Sequence, residues 1–268
     1  MDWLEVHRGD APLVVSFPHT GSDIPAELES GFASLWHARR DADWWVDRLY
    51  DFAAGMGATT VRTRISRSVI DVNRDPSGAS LYPGMATTGL CPTTDFDGAA
   101  LYVEGRAPDT GEIARRREVW FAPYHAAIRA ELDRLRGAHD RVVLFDAHSI
   151  RSRIPRLFEG ELPQFNVGSN DGRSCDAALT SAVDAACAAT RYSRVVNGRF
   201  KGGWTTRHYG EPARGVHAIQ LELACRGYID EPDAPAPTNW PTPYAEPRAA
   251  ELRAALKDIL GACLAFAR

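Results

Sequence analysis

The order of apolar and polar residues along the chain predicts strands that alternate with helices. Short apolar or β-branched runs predict strands at residues 13–17, 59–65, 68–72, 141–145, 193–196 and 216–223. Apolar residues spaced three or four apart predict helices at residues 41–55, 124–135, 178–189 and 244–266. This alternation predicts a single α/β domain over residues 1–268, with a mostly parallel or mixed central sheet and helices on both faces.

Composition narrows the classes of partner. Hydrophobic residues make up 44% of the chain and charged residues 25%, as in globular proteins, and the net charge of -4 disfavours binding to nucleic acids or acidic membranes. No apolar run approaches the ~20 residues of a membrane helix, and the first residues do not resemble a secretion signal. We therefore expect a cytoplasmic protein. The five cysteines include no C-x-x-C pair, so neither a disulfide framework nor a thiolate zinc site is expected.

Polar residues follow several of the predicted strands directly. In sheets of this kind, ligands bind beyond the carboxyl ends of the strands, so these residues are candidates for chemistry. They are His19 after the first strand, Asn73 and Arg74 after the third, Asp146 and His148 after the fourth, and Glu222 at the end of the last strand.

The two histidines at separate strand ends indicate a metal site. Neutral imidazole is the commonest metal ligand, and catalytic zinc usually takes three protein ligands of the histidine and carboxylate type. Asp23 and Asp43 are the candidates for an acidic third ligand, whereas Asp146 could orient His148 from behind. The alternative is structural: both histidines would bond to loop backbone and Asp43 would cap a helix.

Glu222 lies in the apolar stretch HAIQLELA, where an ionised side chain is costly unless it is used. It could form a buried ion pair with an arginine or serve as a general base. Arg74 could hold a substrate carboxylate or face a developing oxyanion. The stretch GGWTTRHYG at 202–210 and the long segment 75–111 are typical of loops that close over ligands.

Seven segments, in order and over nearly the whole chain, resemble the N-formylglutamate deformylase (N-formylglutamate amidohydrolase) family. They are SFPHTGSDIP at 16–25, DADWWVDRLYDF at 41–52, SRSVIDVNRDP at 66–76, LYPG at 81–84, FDAHSI at 145–150, FKGGWTTRHYG at 200–210 and IQLELA at 219–224.

The resemblance implies a fold like that of the zinc carboxypeptidases and aspartoacylases, and one divalent cation, with zinc preferred. It implies the metal ligands His19, Asp43 and His148. Ser22 stands where the carboxypeptidase pattern has a glutamate, so the acid must come from elsewhere. The remaining residues implied are the general base Glu222, the oxyanion and substrate contact Arg74, and the further substrate contacts Arg67, Asn73, Arg207 and Tyr209.

The activity implied is hydrolysis of N-formyl-L-glutamate to formate and L-glutamate, a late step of histidine breakdown. Glu222 would take a proton from the attacking water and return it to the leaving amine. Two alternatives stay open: a related zinc amidohydrolase acting on another N-acyl amino acid or small peptide, and a non-catalytic solute-binding relative. The expected partner is a small acidic N-acyl amino acid, without nucleic acid or membrane, and the sequence leaves the oligomeric state open.

Overall fold

The computed structural model of the chain describes residues 2–80, 84 and 87–268. The LYPG stretch, apart from Gly84, lies outside the described residues, as does part of the predicted loop at 75–111. The described residues contain one seven-stranded sheet in the order β1-β3-β2-β4-β7-β5-β6. Its strands are β1 (Leu4–His7), β2 (Leu13–Phe17), β3 (Thr59–Thr63), β4 (Val142–Ile150), β5 (Phe165–Gly168), β6 (Arg194–Val196) and β7 (Val216–Ala224).

The sheet is mixed, as the alternation predicted. Strands β3, β2, β4 and β7 run parallel to one another, and β5 runs parallel to β6. Two pairs of neighbouring strands are antiparallel, β1 with β3 and β5 with β7. The four central parallel strands therefore end at one edge of the sheet, where polar side chains can meet.

Helices cover both faces of the sheet. The helices are α1 (Ala26–Glu29), α2 (His37–Arg40), α3 (Val46–Leu49), α4 (Thr110–Arg116), α5 (Ala122–Arg136), α6 (Ala177–Ala188), α7 (Trp204–Tyr209) and α8 (Glu246–Ala267). Buried side chains of α3, α6 and α8 share one core cluster with one face of the central strands. Side chains of α5 share a second cluster with the other face. No helix among the described residues is long and apolar enough to cross a membrane.

Strand β4 continues beyond its predicted end at residue 145. It pairs with β7 from Val142 to Ile150, so Asp146 and His148 lie within the strand and not in a turn after it. The apolar run stops at Phe145, but the backbone ladder does not, because β7 provides a parallel partner for five further residues. The change from apolar to polar side chains after Phe145 therefore does not mark the end of β4. It marks where the candidate functional residues begin.

Three other predicted elements differ from the structure. The single helix predicted at 41–55 is divided into α3 and a 3-10 helix over Asp51–Met56, and Trp45 before α3 has a left-handed backbone with φ of 63°. Residues 68–72 form no strand, because Ser66 O accepts bonds from Val69 N and Ile70 N in local turns. The predicted loop at 202–210 contains α7. Strands β1 and β5 were not predicted.

Candidate active site

Polar side chains replace apolar ones along one face of β4 and β7. Alternate residues of a strand share a face, so Leu144 is followed on its face by Asp146 and then His148. The register pairs Asp146 with Gln220 and His148 with Glu222 on the neighbouring strand. The opposite face stays apolar over the same length, with Phe145, Ala147, Leu221 and Leu223 in the core. The fold thus places a polar patch inside a buried sheet.

His19, Asp43 and His148 converge at this patch and form a candidate metal centre. Each offers one ligand atom, and these atoms all lie within 4.8 Å of one another. Nδ1 of His148 lies 3.0 Å from Asp43 Oδ2, and Nδ1 of His19 lies 3.7 Å from the same oxygen. All three side chains are buried. His19 Nδ1 and Asp43 Oδ1 have no hydrogen-bond partner among the described residues, which is costly for buried polar atoms unless they bind a ligand.

Backbone contacts bring Asp43 to the histidines. Asp43 lies in the turn between α2 and α3, and its N–H donates to His19 O at 2.9 Å. Ser149 N donates to Asp43 Oδ2 at 3.2 Å. Asp23, the other candidate acid, is half-exposed and pairs with Arg64 at 3.1 Å. Of the two acids, Asp43 is therefore the one that lies with both imidazoles.

A buried carboxylate stands behind each imidazole. Nε2 of His19 donates to Asp71 Oδ1 at 2.7 Å, and Nε2 of His148 lies 2.9 Å from Asp146 Oδ2. Because a carboxylate only accepts, the hydrogen of neutral His19 sits on Nε2 and the lone pair of its Nδ1 faces Asp43. His148 has a carboxylate at each ring nitrogen, Asp146 at Nε2 and Asp43 at Nδ1. Sequence reasoning suggested Asp146 for this task but missed Asp71. An ionisable residue between the apolar Ile70 and Val72 was the available signal.

The buried charges shift several pKa values. Burial, and then the charge of Arg67, lowers the pKa of His19 and favours neutral imidazole. Burial opposes ionisation of Asp71, but His19, Arg67 and Arg74 outweigh it and hold the pKa of Asp71 well below its usual range. Burial also opposes protonation of His148, but Asp146 and Asp43 raise its pKa well above the usual value. A cation binding at His148 Nδ1 would have to displace this proton.

Glu222 lies beside the candidate metal centre and is buried. Burial raises its pKa to about 8. Its Oε2 is 3.4 Å from Gln220 Nε2, and Gln220 Oε1 accepts a bond from Gly203 N at 2.7 Å, which fixes the orientation of the amide. Glu222 thus has the environment of a group that exchanges a proton near neutral pH.

Arginines line the same cavity, which encloses about 610 Å³ including its open mouth. Arg67 Nη2 donates to Asp71 Oδ2 at 2.8 Å, and its guanidinium lies over the ring of Phe96 at 4.8 Å. Arg74 lies 3.5 Å from the same Asp71 oxygen and donates to Thr88 Oγ1 at 3.1 Å. One buried carboxylate thus holds both guanidinium groups and the His19 imidazole.

Asn73 also lines the cavity, and its amide is part of the scaffold. Its Nδ2 donates to Asp146 Oδ2 at 3.0 Å, and its Oδ1 accepts from Thr205 N at 2.8 Å. Gly203 packs so closely on this amide that a Cβ there would lie 2.4 Å from Asn73 Nδ2. Asn73 therefore connects the segment before α7 to the carboxylate behind His148.

Two predicted substrate contacts lie elsewhere. Of the described residues, Arg207 and Tyr209 are not among those that line the cavity. Tyr209 is buried and donates to His125 O at 3.0 Å, whereas Arg207 Nε donates to Gly202 O at 2.9 Å. Gln220 and Arg199 do line the cavity and were missed. Helix α7 places the side chain of Tyr209 in the core. The prediction of a loop for this segment gave no indication of that orientation.

These observations define a class of site. Two imidazoles and a carboxylate with unsatisfied buried atoms, next to a buried glutamate and guanidinium groups, form the kind of centre that hydrolases use. Residues 11–229 match the family model of N-formylglutamate amidohydrolase. The chain is 46% identical to the N-formylglutamate deformylase of Pseudomonas aeruginosa, over 99% of this chain and 97% of that protein. It is 46% identical to that of Pseudomonas putida, over 98% and 96%.

The chain therefore belongs to the N-formylglutamate amidohydrolase family, whose members are hydrolases acting on an amide. The crystal structure of N-formylglutamate amidohydrolase from Ralstonia eutropha JMP134 superposes with a TM-score of 0.79 at 24% identity, covering 100% of this chain and 97% of that chain. A gene product of Agrobacterium tumefaciens superposes with a TM-score of 0.71 at 18% identity, covering 98% and 95%. At these identities, the structural similarity shows a shared fold.

Proposed function

We propose that this protein hydrolyses N-formyl-L-glutamate to formate and L-glutamate, with a divalent cation held by His19, Asp43 and His148. The observation that carries the proposal is the convergence of these three side chains with Glu222 and Arg74 at one cavity. Family membership supports the substrate, since two relatives at 46% identity are N-formylglutamate deformylases.

The donor set fits a cation. His19 Nδ1 and Asp43 Oδ1 are buried and make no hydrogen bond among the described residues, and His148 Nδ1 points at the same carboxylate. Arg67 Nη1 lies 3.6 Å from Asp43 Oδ1. Mixed imidazole and carboxylate ligation suits zinc, which we propose as the metal. When bound, such an ion supplies a Lewis acid that lowers the pKa of a water molecule and polarises a carbonyl group. Asp71 and Asp146 keep both imidazoles in the tautomer that ligation requires.

Glu222 acts as the general base in this proposal. Its raised pKa of about 8 allows its carboxylate to take a proton and give it up again near neutral pH. It accepts the proton of the water whose oxygen bonds to the formyl carbon. It then donates this proton to the amine nitrogen as the carbon–nitrogen bond breaks, which releases formate and the free amino group of glutamate.

Arg74 and Arg67 provide the positive charge at the reacting end of the substrate. Both line the cavity, and Asp71 fixes both side chains, so they need little reorganisation when an anion arrives. Arg74 stabilises the oxygen that becomes negative as water adds to the formyl group. Both guanidinium groups contact Asp71, which also binds His19, and in this proposal they also bind the α-carboxylate, which lies next to the scissile amide.

The proposal includes finer points that stay predictions: a cytoplasmic location, a fold relationship to the zinc carboxypeptidases, and preference for formylglutamate over other N-acyl amino acids. A panel of N-formyl and N-acetyl derivatives of glutamate, aspartate and neutral amino acids tests the last point. If kcat/KM is highest for a substrate other than N-formyl-L-glutamate, the chain has a different amidohydrolase activity.

The first experiment measures metal content and formate release together. We expect about one divalent ion per chain, turnover of N-formyl-L-glutamate, loss of turnover after chelation and its return on adding Zn²⁺. Glu222→Gln should keep the metal and lower kcat by about 10²- to 10⁴-fold, since the proton acceptor is lost. Glu231→Gln is the matched control, because Glu231 is a mostly buried glutamate that binds Ser152 and does not line the cavity.

Two results would contradict the proposal. Full turnover by metal-loaded Glu222→Gln would show that another group moves the proton. Undiminished turnover by protein from which all metal has been removed would exclude the role assigned to His19, Asp43 and His148.

A further inference from the structure

The cavity has an apolar wall that the mechanism does not use. Among the described residues that line it, four are hydrophobic: Phe96, Ile150, Leu157 and Phe200. They belong to a third hydrophobic cluster, separate from the two that pack against the sheet, and this cluster also contains Ile154 and Leu162. Phe200 is held edge-on to Phe158, with ring centres 6.1 Å apart. Packing thus gives this wall a fixed shape next to the polar residues of the site.

Arg199 brings a positive charge to this wall. It lines the cavity, its Nε donates to Leu157 O at 2.8 Å, and its guanidinium carbon lies 5.2 Å from the centre of the Phe200 ring. Contacts with two wall residues therefore order the side chain before a ligand arrives. A guanidinium group that is already ordered loses less conformational entropy when it binds a carboxylate.

The arginines of the cavity divide into two groups. Arg67 and Arg74 come from one segment and share a single carboxylate, Asp71, which also holds His19. Arg199 comes from the segment between β6 and α7 and is fixed to Leu157. The first group belongs to the candidate metal centre, and the second lies among hydrophobic side chains. This division matches a ligand with one anionic group near the scissile amide and a second beyond a short aliphatic chain.

We propose that Arg199 binds the side-chain carboxylate of the substrate, while Leu157 and Phe200 contact its methylene groups. The inference rests on the proposed function, in which Arg67 and Arg74 serve the α-carboxylate and the reacting formyl group. It makes Arg199 the residue that selects N-acyl amino acids with an acidic side chain over neutral ones of the same shape, since a charged hydrogen bond lost in a desolvated site is not replaced by water.

The test compares N-formyl-L-glutamate with N-formyl-L-glutamine, which has the same shape but no side-chain charge. Arg199→Gln should lower kcat/KM for N-formyl-L-glutamate by about 10- to 100-fold, mainly through KM, because one charge-assisted hydrogen-bonding partner is removed. It should change kcat/KM for N-formyl-L-glutamine by less than about threefold. Arg199→Lys, which keeps the charge but not the planar fork, should recover part of the loss.

Arg153→Gln is the matched control. Arg153 is an exposed arginine near the same wall, pairs with Glu161 and does not line the cavity. Its substitution should leave both substrates unaffected. If Arg199→Gln lowers both substrates equally, its role is structural and the proposal is wrong. If it lowers neither, Arg199 does not contact the side-chain carboxylate.

Binding of the products separates this inference from the proposed reaction. Calorimetry with L-glutamate and L-glutamine measures the affinity of the wild-type protein and Arg199→Gln without turnover. Glutamate affinity that depends on Arg199, in a protein that releases no formate, would support the inference and refute the reaction. Formate release with no glutamate preference in either protein would support the reaction and overturn the inference, as would wild-type protein that binds neither amino acid.

Discussion

His19 and His148 are each backed by a buried aspartate, but the two aspartates reach their histidines by different routes. Asp146 precedes His148 by two residues in β4, so the alternation of side chains puts both on one face of a strand. Asp71 follows His19 by 52 positions and lies in a loop. One pair follows from local geometry, and the other depends on how a loop packs at the end of β2.

The two carboxylates also differ in the groups that surround them. Asp146 accepts from the hydroxyl of Ser16 at 2.5 Å and the amide of Asn73 at 3.0 Å, besides His148. Among the described residues, the partners of Asp71 are all N–H groups: His19 Nε2, the backbone N–H of Asn73 at 2.9 Å, and the guanidinium groups of Arg67 and Arg74. Asp146 orients one ring, whereas Asp71 connects the candidate metal centre to the substrate-facing arginines.

The largest expected effect comes from changing each aspartate to asparagine. In Asp146→Asn, Oδ1 can face His148 while the new NH₂ donates to the Ser16 oxygen, so every contact can be kept. In Asp71→Asn, the NH₂ must face donors, and the buried Arg67 loses the nearer of its two carboxylate partners, which leaves only Asp43, at 3.6 Å, among the described residues. We expect metal affinity to fall by about 10- to 100-fold in both variants, but stability to fall by about 3–5 kcal/mol only in Asp71→Asn. Metal titration and urea unfolding measure the two quantities.

Equal losses of stability in the two variants would show that the strand carboxylate Asp146 and the loop carboxylate Asp71 do not differ in this way. Asp47→Asn is a control for charge removal, because Asp47 is a partly exposed aspartate that pairs with Arg62. It should change the free energy of unfolding by less than about 1 kcal/mol.

The next prediction concerns His125, which bonds to the backbone of the loop that contains Asp71, and the dependence of stability on pH. Nε2 of His125 donates to the carbonyl of Val72 at 2.8 Å, and burial lowers the pKa of His125 to about 3. As the pH drops below 6.5, His125 becomes protonated in the unfolded chain but stays neutral in the folded chain. The contribution of this group to the free energy of unfolding therefore falls from pH 6.5 until about pH 3. Between pH 7 and 5 the loss should be about 2 kcal/mol.

His125→Gln can still donate to Val72 O but does not titrate. Its free energy of unfolding should therefore fall by about 2 kcal/mol less than that of the wild-type protein between pH 7 and 5. Urea unfolding at both pH values measures this difference. His7→Gln, at the exposed end of β1, is the control for replacement of a histidine by glutamine. An identical slope for His125→Gln and the wild-type protein would show that His125 is protonated in the folded state.

The smallest effect is expected on the strand-borne side. Ser16→Ala removes one donor from Asp146, which keeps Asn73 and His148. Stability should fall by about 1 kcal/mol, and metal affinity should change less than in Asp146→Asn. Thermal unfolding and metal titration check both values. A loss of affinity as large as that of Asp146→Asn would mean that Ser16 orients this carboxylate, and that β2 and β4 act as one unit.

The strand-borne part of the site was accessible from the sequence because its spacing is local. Asp146, His148 and Glu222 stood out because each is a polar residue that interrupts an apolar run. The structure brings them together with His19. The loop-borne part was only partly accessible. Asp71 lies in a segment predicted as a strand, and Arg199 lies in a stretch without periodicity, so no pattern indicated which cavity either residue joins. Arg207 and Tyr209 have the right chemistry for a substrate, but α7 places Tyr209 in the core, and neither is among the described residues that line the cavity.

The sequence by itself determined the alternating α/β order, the polar interruptions in its central strands and, through seven motifs, the family. Those features depend on side-chain periodicity and on short segments, which are properties of neighbouring residues. Only the tertiary structure decided that Asp43 and not Asp23 lies with the histidines, that Asp71 stands behind His19, and that Arg199 lines the cavity. These contacts join residues of separate turns and loops, and their proximity is set by the packing of the whole sheet and its helices.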